Sequence, residues 1–293
     1  MLTSTKHKGD VTRLMFDLSG EYLFSTGIDG QLLQWSPDGK SQLLYQDSKT
    51  ISVLAISDKA SSIAFGNAIG ELFILDRSSK KIQARSKLPF GITGVSFIPG
   101  QNNLLVACGN LLEPIQLPKP TVIWDYVKNE YRHIRLGKYH GIRELIHIPG
   151  TKQFVQLDDQ KKIHLYDLTK NSPLASFQIP KMGKGLTVSL DGRSLAANFD
   201  WHISIYNLEK KQPKCELKGH RGLVSAIAFD HSGQLLYSCS WDETVRCWDI
   251  ALEKEVEVLN WSIGRATAIA CAMDGSRVAV GSENGTVLVW DRN

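Results

Sequence analysis

The sequence predicts an all-β fold built from seven copies of one four-stranded unit, and three observations lead to that prediction. An aromatic or apolar residue followed by a polar one recurs along the 293 residues at intervals of 40, 49, 42, 40, 42 and 42. Each interval contains short runs rich in Val, Ile, Leu and aromatic residues, separated by Asp, Ser and Gly turns, which is the pattern of antiparallel strands. No long amphipathic helical pattern interrupts these runs. The repeats are marked by Trp35, Leu75, Trp124, Tyr166, Tyr206, Trp248 and Trp290.

Every copy has the same internal order of elements. In the sixth copy a strand AIAF is followed by the turn DHSG, the strand LLYSC, a tight turn and the strand VRCW that ends at the marker. Seven such units at this period resemble the WD-repeat (WD40) family, whose fold is a seven-bladed β-propeller with four antiparallel strands in each blade. The resemblance covers essentially the whole chain and implies a single propeller domain over residues 1–293. The divergent copies look more like bacterial WD-repeat proteins than the well-known eukaryotic adaptors.

The two ends of the sequence predict how the ring of blades closes. In the WD-repeat family each repeat supplies the last strand of one blade and the first three strands of the next. The seventh copy stops just after its marker Trp290, so its blade lacks an outer strand. Residues 2–6, LTSTK, stand just before His7, where that strand belongs. We therefore expect the N-terminal strand to join the C-terminal blade.

Four residue types recur in the first and sixth copies at one offset of 213 residues. In WD repeats such residues form a structural chain in which a turn Asp, a His, a strand Ser and a Trp are joined by hydrogen bonds. Ser, His and Asp together also suggest a hydrolase triad. Recurrence at one offset and a mid-strand Ser favour the structural role instead. The residues are His7, Ser25, Asp29 and Trp35, matched by His220, Ser238, Asp242 and Trp248.

Composition and motifs argue against several classes of function. The net charge of +4 is below the usual level of a nucleic-acid-binding domain. No apolar run is close to the length of a membrane span, which is about 18 residues. The five cysteines include no CxxC pair, which indicates reduced thiols in a cytoplasmic protein. The histidines show no matched spacing for a metal. No phosphate-binding or metalloprotease motif occurs, so no cofactor or metal is predicted.

The prediction for function is a non-catalytic scaffold that binds an unknown partner protein or peptide. In this family the partner usually binds the top face, which carries the loop before the first strand of a blade and the turn between its second and third strands. Trp241 and Arg221 have the composition of a binding hot spot, although packing of Trp241 and Phe199 on neighbouring blades is the alternative. The long loop 109–120 either folds on its own blade or contacts the partner. The predicted binding residues are Trp241, Arg221, Leu223, Phe199, Arg265, Glu283, Ile28, Arg143, Leu112 and Ile115.

Two other functions stay open at this point. The chain resembles propellers that serve as sensor or substrate-recognition domains of larger signalling or defence proteins. Some propellers are also enzymes with charged residues at the mouth of the central channel. Here the column of innermost residues is mostly small or apolar, and only Arg13 and Glu144 are charged. The sequence therefore favours a binding module over an enzyme.

Overall fold

The computed structural model describes residues 1–109, 120–134, 141–170, 172–181 and 183–292, which contain 28 strands and no helix. The strands form seven four-stranded antiparallel sheets. This is a seven-bladed β-propeller, as the sequence predicts.

The sheets follow one another along the chain, and only the last one uses a strand from the other end. In chain order the strands are β1 Leu2–Thr5, β2 Val11–Phe16, β3 Leu23–Gly27, β4 Gln31–Trp35, β5 Ser41–Gln46, β6 Ile51–Ile56, β7 Ser62–Asn67, β8 Glu71–Asp76, β9 Lys81–Lys87, β10 Gly91–Ile98, β11 Asn103–Gly109, β12 Thr121–Asp125, β13 Glu130–His133, β14 Ile142–His147, β15 Gln153–Asp158, β16 Lys162–Asp167, β17 Ala175–Gln178, β18 Gly183–Val188, β19 Ser194–Phe199, β20 His202–Asn207, β21 Gln212–Lys218, β22 Val224–Phe229, β23 Leu235–Ser240, β24 Val245–Asp249, β25 Lys254–Leu259, β26 Ala266–Cys271, β27 Arg277–Ser282 and β28 Thr286–Asp291.

The chain divides into two compact units. The first unit comprises Met1–Ile51 and Gly183–Asn293, and it holds the sheets β2–β5, β18–β21, β22–β25 and β26–β28 with β1. The second unit is Ser52–Met182, with the sheets β6–β9, β10–β13 and β14–β17. A single domain over residues 1–293 stays a prediction.

The predicted closing strand is confirmed. β1 pairs antiparallel with β28, so that Leu2 lies opposite Val289 and Thr5 lies opposite Thr286. Strand order in this sheet is β1-β28-β27-β26, and the first strand of the chain completes the blade made by the last three.

Burial changes from the second strand of a blade to the fourth. All six residues of β7 and all five of β3 are buried, whereas β25 exposes five of its six residues. A continuous apolar run is expected for a strand that is covered on both faces, and a polar one for an edge strand. Within the first unit, Ile203, Leu236 and Trp248 belong to one apolar cluster shared by the sheets β18–β21 and β22–β25. This packing holds neighbouring blades together and fixes the loops at their ends.

Candidate functional site

A polar network joins the loop before β2 to the sheet β2–β5. His7 Nδ1 lies 3.0 Å from Asp29 Oδ1, and His7 Nε2 lies 2.7 Å from Ser25 Oγ. Trp35 donates its indole N–H to Ser25 Oγ over 2.8 Å, and the Lys8 backbone N–H donates to Asp29 Oδ2 over 2.8 Å. The hydrogen bonds that the sequence predicts are therefore present in this blade.

The same network occurs in the sheet β22–β25. His220 Nδ1 lies 2.9 Å from Asp242 Oδ2, and His220 Nε2 lies 2.7 Å from Ser238 Oγ. Trp248 donates to Ser238 Oγ over 2.8 Å. The Arg221 backbone N–H donates to Asp242 Oδ2 over 2.9 Å, which pins the loop before β22 to the β23–β24 turn.

Electrostatics assign one direction to the hydrogen bonds of the first network. Burial lowers the pKa of His7, and this effect outweighs the neighbouring Asp29 carboxylate. The imidazole is therefore neutral at neutral pH. Ser25 Oγ accepts a hydrogen bond from the Trp35 indole N–H, so the Ser25 hydroxyl donates its own hydrogen to His7 Nε2. The other ring nitrogen of His7, Nδ1, then carries the hydrogen and donates it to Asp29.

The two turn carboxyls are held in their ionised form. Burial raises the pKa of Asp29, but hydrogen bonds from the Lys8 backbone N–H and from His7 overcome that effect and lower it. The Asp242 carboxyl behaves alike: burial raises its pKa, and hydrogen bonds from His220 and its neighbours bring it far below its ordinary value. Both carboxylates therefore act as fixed acceptors for the loops.

These Ser, His and Asp residues cannot act as a hydrolase triad. Ser25 and Ser238 are completely buried. Each hydroxyl oxygen already contacts both a Trp indole and an imidazole. A nucleophile must reach its substrate, so the residues serve the fold.

Trp241 lies at the tip of the β23–β24 hairpin, and its side chain is 45% exposed. Its backbone N–H donates to the Leu223 carbonyl over 3.0 Å. At Gly222 an added Cβ would lie 2.7 Å from the Asp242 backbone nitrogen, so the loop and the turn approach too closely for any side chain there. The predicted residues Trp241, Leu223 and Arg221 are thus brought together on one rigid edge of the blade.

Two cations from the neighbouring blades contact the indole of Trp241. Lys184 Nζ of β18 lies 4.9 Å from the ring centroid, and Arg265 Cζ, just before β26, lies 5.3 Å from it. Both distances are within the range of cation–π attraction. Arg265 also has an ion pair of 3.9 Å with Glu283. The Glu283 backbone N–H donates to the Arg265 carbonyl, and the Arg265 backbone N–H donates to Glu283 Oε1. We call Lys184, Arg221, Leu223, Trp241, Arg265 and Glu283 the Trp241 surface.

The expectation that Phe199 is exposed is wrong, because Phe199 is only 1% exposed. Phe199 pairs with His202, so the β19–β20 turn consists of Asp200 and Trp201 alone. The corresponding β23–β24 turn is longer, since its strands end at Ser240 and resume at Val245. Phe199 therefore stays in its strand and points inward, whereas Trp201 occupies the tip and is 56% exposed.

The remaining predicted binding residues are Ile28, Arg143, Leu112 and Ile115. Ile28 is exposed at the β3–β4 turn of another blade in the first unit. Arg143 belongs to β14 in the second unit and is partly buried. Leu112 and Ile115 lie outside the described residues, as does the loop 109–120 except for Gly109 and Pro120.

Sequence reasoning missed Lys184, although a signal for it exists. The aligned column has a hydroxyl residue in five copies, at Thr12, Ser52, Thr93, Ser225 and Thr267, and a cationic residue in the other two, at Arg143 and Lys184. Trp201 was missed because its hairpin is shorter than that of Trp241.

No cluster of three or more His, Cys, Asp or Glu side chains that could hold a metal ion exists in the part of the chain that the structure describes. In the same ranges no helix has the length and apolarity needed to cross a membrane.

The family model for the WD domain, G-beta repeat, matches residues 1–39, 211–249 and 260–291. Together with seven four-stranded sheets, these matches make the chain a WD-repeat β-propeller protein. The chain is 23% identical to the periodic tryptophan protein 2 homolog of Dictyostelium discoideum, over 97% of this chain and 31% of that protein.

Two further relatives show how widely the likeness extends. The guanine nucleotide-binding protein subunit beta of Saccharomyces cerevisiae is 28% identical over 45% of this chain and 30% of its own length. The WD repeat-containing protein WDS homolog of Arabidopsis thaliana is 24% identical over 97% of this chain and 56% of its own length. The chain thus spans less than two thirds of the length of each of these relatives.

Proposed function

We propose that this protein is a non-catalytic interaction scaffold that binds a partner protein on the Trp241 surface. The observation that carries the proposal is an exposed Trp held between cationic side chains on a rigid hairpin. Trp and Arg dominate the residues that contribute most to protein–protein binding, and rigid presentation lowers the entropy lost on association. The names of the relatives, which include a G-protein subunit and a repeat-containing protein, support the class.

The rigidity of this surface comes from the network beneath it. Asp242 binds both His220 and the Arg221 backbone, and the Trp241 backbone is bound to Leu223. A partner can therefore dock without first ordering these loops. The same surface serves whether the propeller acts alone or as one domain of a longer chain.

The test is affinity capture from the lysate of the source organism, followed by mass spectrometry. The bait proteins are the wild type, the double variant Trp241→Ala/Arg221→Glu, and a matched control, Leu252→Ala/Lys254→Glu. The control changes an exposed apolar residue and a cation of the same blade in its β24–β25 hairpin. Circular dichroism checks that all three baits are folded.

We expect a protein that is retained by the wild type and the control and lost with the Trp241→Ala/Arg221→Glu variant. The purified partner should then bind the wild type at least about tenfold more tightly than this variant. Equal retention by all three baits would refute the assignment of binding to the Trp241 surface.

A further inference from the structure

The first strand of a blade carries a β-bulge, and a hydroxyl side chain at this bulge bonds to the next blade. The register shifts between Val11 and Arg13 in β2, and Thr12 Oγ1 donates to the Ile51 carbonyl over 2.5 Å. The same side-chain bond is made from four other blades. The pairs are Ser52 to Ile92, Thr93 to Ile142, Ser225 to Ala266 and Thr267 to Val11.

The blade β18–β21 has a lysine at this bulge. The register shifts between Gly183 and Gly185, which places Lys184 at the bulge. The bond to the next blade is made instead by Asn198 of β19, whose Nδ2 donates to the Val224 carbonyl over 2.6 Å. Asn198 is completely buried. The blade therefore keeps a side-chain bond to β22 through Asn198.

The Lys184 side chain extends to Trp241 on that next blade. Arg265 reaches the same indole from the blade on the other side. Lys184 and Arg265 are both exposed. Arg265 has its ion pair with Glu283 at 3.9 Å, near the limit of such contacts, and a guanidinium offers five N–H donors. Two exposed cations thus lie at one indole ring.

Two exposed cations over one partly exposed aromatic ring match an acidic, partly apolar chain segment. Carboxylates bind guanidinium and ammonium groups through charge-assisted hydrogen bonds, and a guanidinium can bind a carboxylate in a bidentate way. An apolar side chain between two acidic ones would cover the exposed part of the Trp241 ring. A nucleic-acid base fits less well, since a base that stacks on this ring would compete with the two cations that lie over it.

We propose that Lys184, Trp241 and Arg265 form a binding site for an acidic segment of the partner protein, in which carboxylates contact the two cations and an apolar side chain contacts Trp241. This inference rests on the proposed function, because it specifies the partner chemistry of the Trp241 surface. Lys184 is thus a specificity residue at a position where five other blades have a hydroxyl side chain that bonds to the next blade.

The probe is a displayed library of random dodecapeptides, selected on the folded wild-type protein with subtraction on the Trp241→Ala variant. We expect the enriched peptides to contain at least two Asp or Glu residues around an apolar residue. A synthetic peptide from this set should bind more weakly as salt is raised, because screening weakens exposed charge pairs. The matching peptide with Gln and Asn in place of Glu and Asp should lose at least about tenfold in affinity.

Three protein variants separate binding from folding. Lys184→Ser introduces the hydroxyl residue type that five other blades have at this position, so it should keep the melting temperature and lose at least about tenfold in peptide affinity. Lys184→Arg should keep binding, and Lys254→Glu, a cation in β25, should change nothing. Arg265→Gln should weaken binding as Lys184→Ser does.

The outcomes distinguish this inference from the proposed function. Enriched peptides that depend on Trp241 but lack acidic residues would overturn the inference and leave the interaction scaffold standing. Binding of oligothymidylate with the same dependence on Lys184 and Arg265 would replace the acidic peptide by nucleic acid. No enrichment on the wild type over Trp241→Ala would count against both.

Discussion

His220 Nε2 lies 2.7 Å from Ser238 Oγ in the interior of the sheet β22–β25, and the same two atoms of His7 and Ser25 are separated by the same distance in the sheet β2–β5. Two blades thus reproduce one buried polar network independently. The network links the loop before the first strand to the hairpin that follows, and one of these hairpins carries Trp241. Stability therefore depends on buried residues of this hairpin, whereas the proposed partner binding depends on Trp241 at its exposed tip.

Asp242→Ala should lower the free energy of unfolding by about 2 kcal/mol, because it leaves His220 and the Arg221 backbone N–H without their charged acceptor. Urea unfolding followed by circular dichroism measures this change. Glu243→Ala, at the exposed neighbouring position, should stay within about 0.5 kcal/mol of the wild type. Equal effects of the two variants would contradict the role of Asp242.

Ser238→Ala should cost about 2 kcal/mol of unfolding free energy, since it leaves both the Trp248 indole N–H and His220 Nε2 without a buried partner. Trp248→Phe removes the indole N–H, so the double variant should be less destabilised than the sum of the single ones. A double-mutant cycle by urea unfolding gives the coupling, and additive effects would show that the two side chains do not interact.

Acidification should destabilise the protein in two separate windows. Burial lowers the pKa of His7, so its contribution to stability is complete above the unfolded value of 6.5 and declines as the pH falls below it. The pKa values of Asp29 and Asp242 are lowered too, and their contributions decline below the unfolded value of 3.8. Urea unfolding between neutral pH and pH of about 5 isolates the first window.

The His7→Gln variant is the control for this pH dependence. It should be less stable than the wild type at neutral pH and should show a smaller loss of stability on mild acidification. A wild type that becomes more stable as the pH falls towards 5 would contradict a neutral buried His7.

Asn198→Ala should lower the unfolding free energy by about 1 kcal/mol, because it removes the hydrogen bond to the Val224 carbonyl. Adding Lys184→Ser should recover part of this loss, since a hydroxyl at the bulge can donate to the next blade as Ser225 does. Thermal unfolding of the two single variants and the double variant checks the rescue. A double variant that is less stable than Asn198→Ala alone would contradict the idea that a hydroxyl at position 184 can replace Asn198 as the donor to the next blade.

Most of the fold could be predicted from the sequence because its strands repeat at a nearly constant period. The two complete polar networks were also predictable, since His7 and Asp29 recur at one offset in His220 and Asp242. Pattern and spacing predict these features because every blade is built from the same four antiparallel strands.

The candidate site was only partly predictable, for reasons of local geometry. Phe199 is buried because its hairpin turn is shorter than that of Trp241. The spacing of the repeats does not show which hairpin turn is the shorter one. Lys184 meets Trp241 only because a bulge and a neighbouring blade bring them together. Such contacts depend on sheet register and on packing between blades.

The pairing of β1 with β28 has a consequence for biosynthesis. Thr5 and Thr286 are 281 residues apart in the chain, yet their hydroxyl groups lie 2.8 Å from each other. Translation produces β1 before β2 to β27 and produces β28 after them, so β1 has no neighbouring strand until the ribosome has made all the strands between the two. The final blade can therefore assemble only after its last strand has left the ribosomal tunnel, and until then the nascent chain presents an unpaired strand that chaperones can bind.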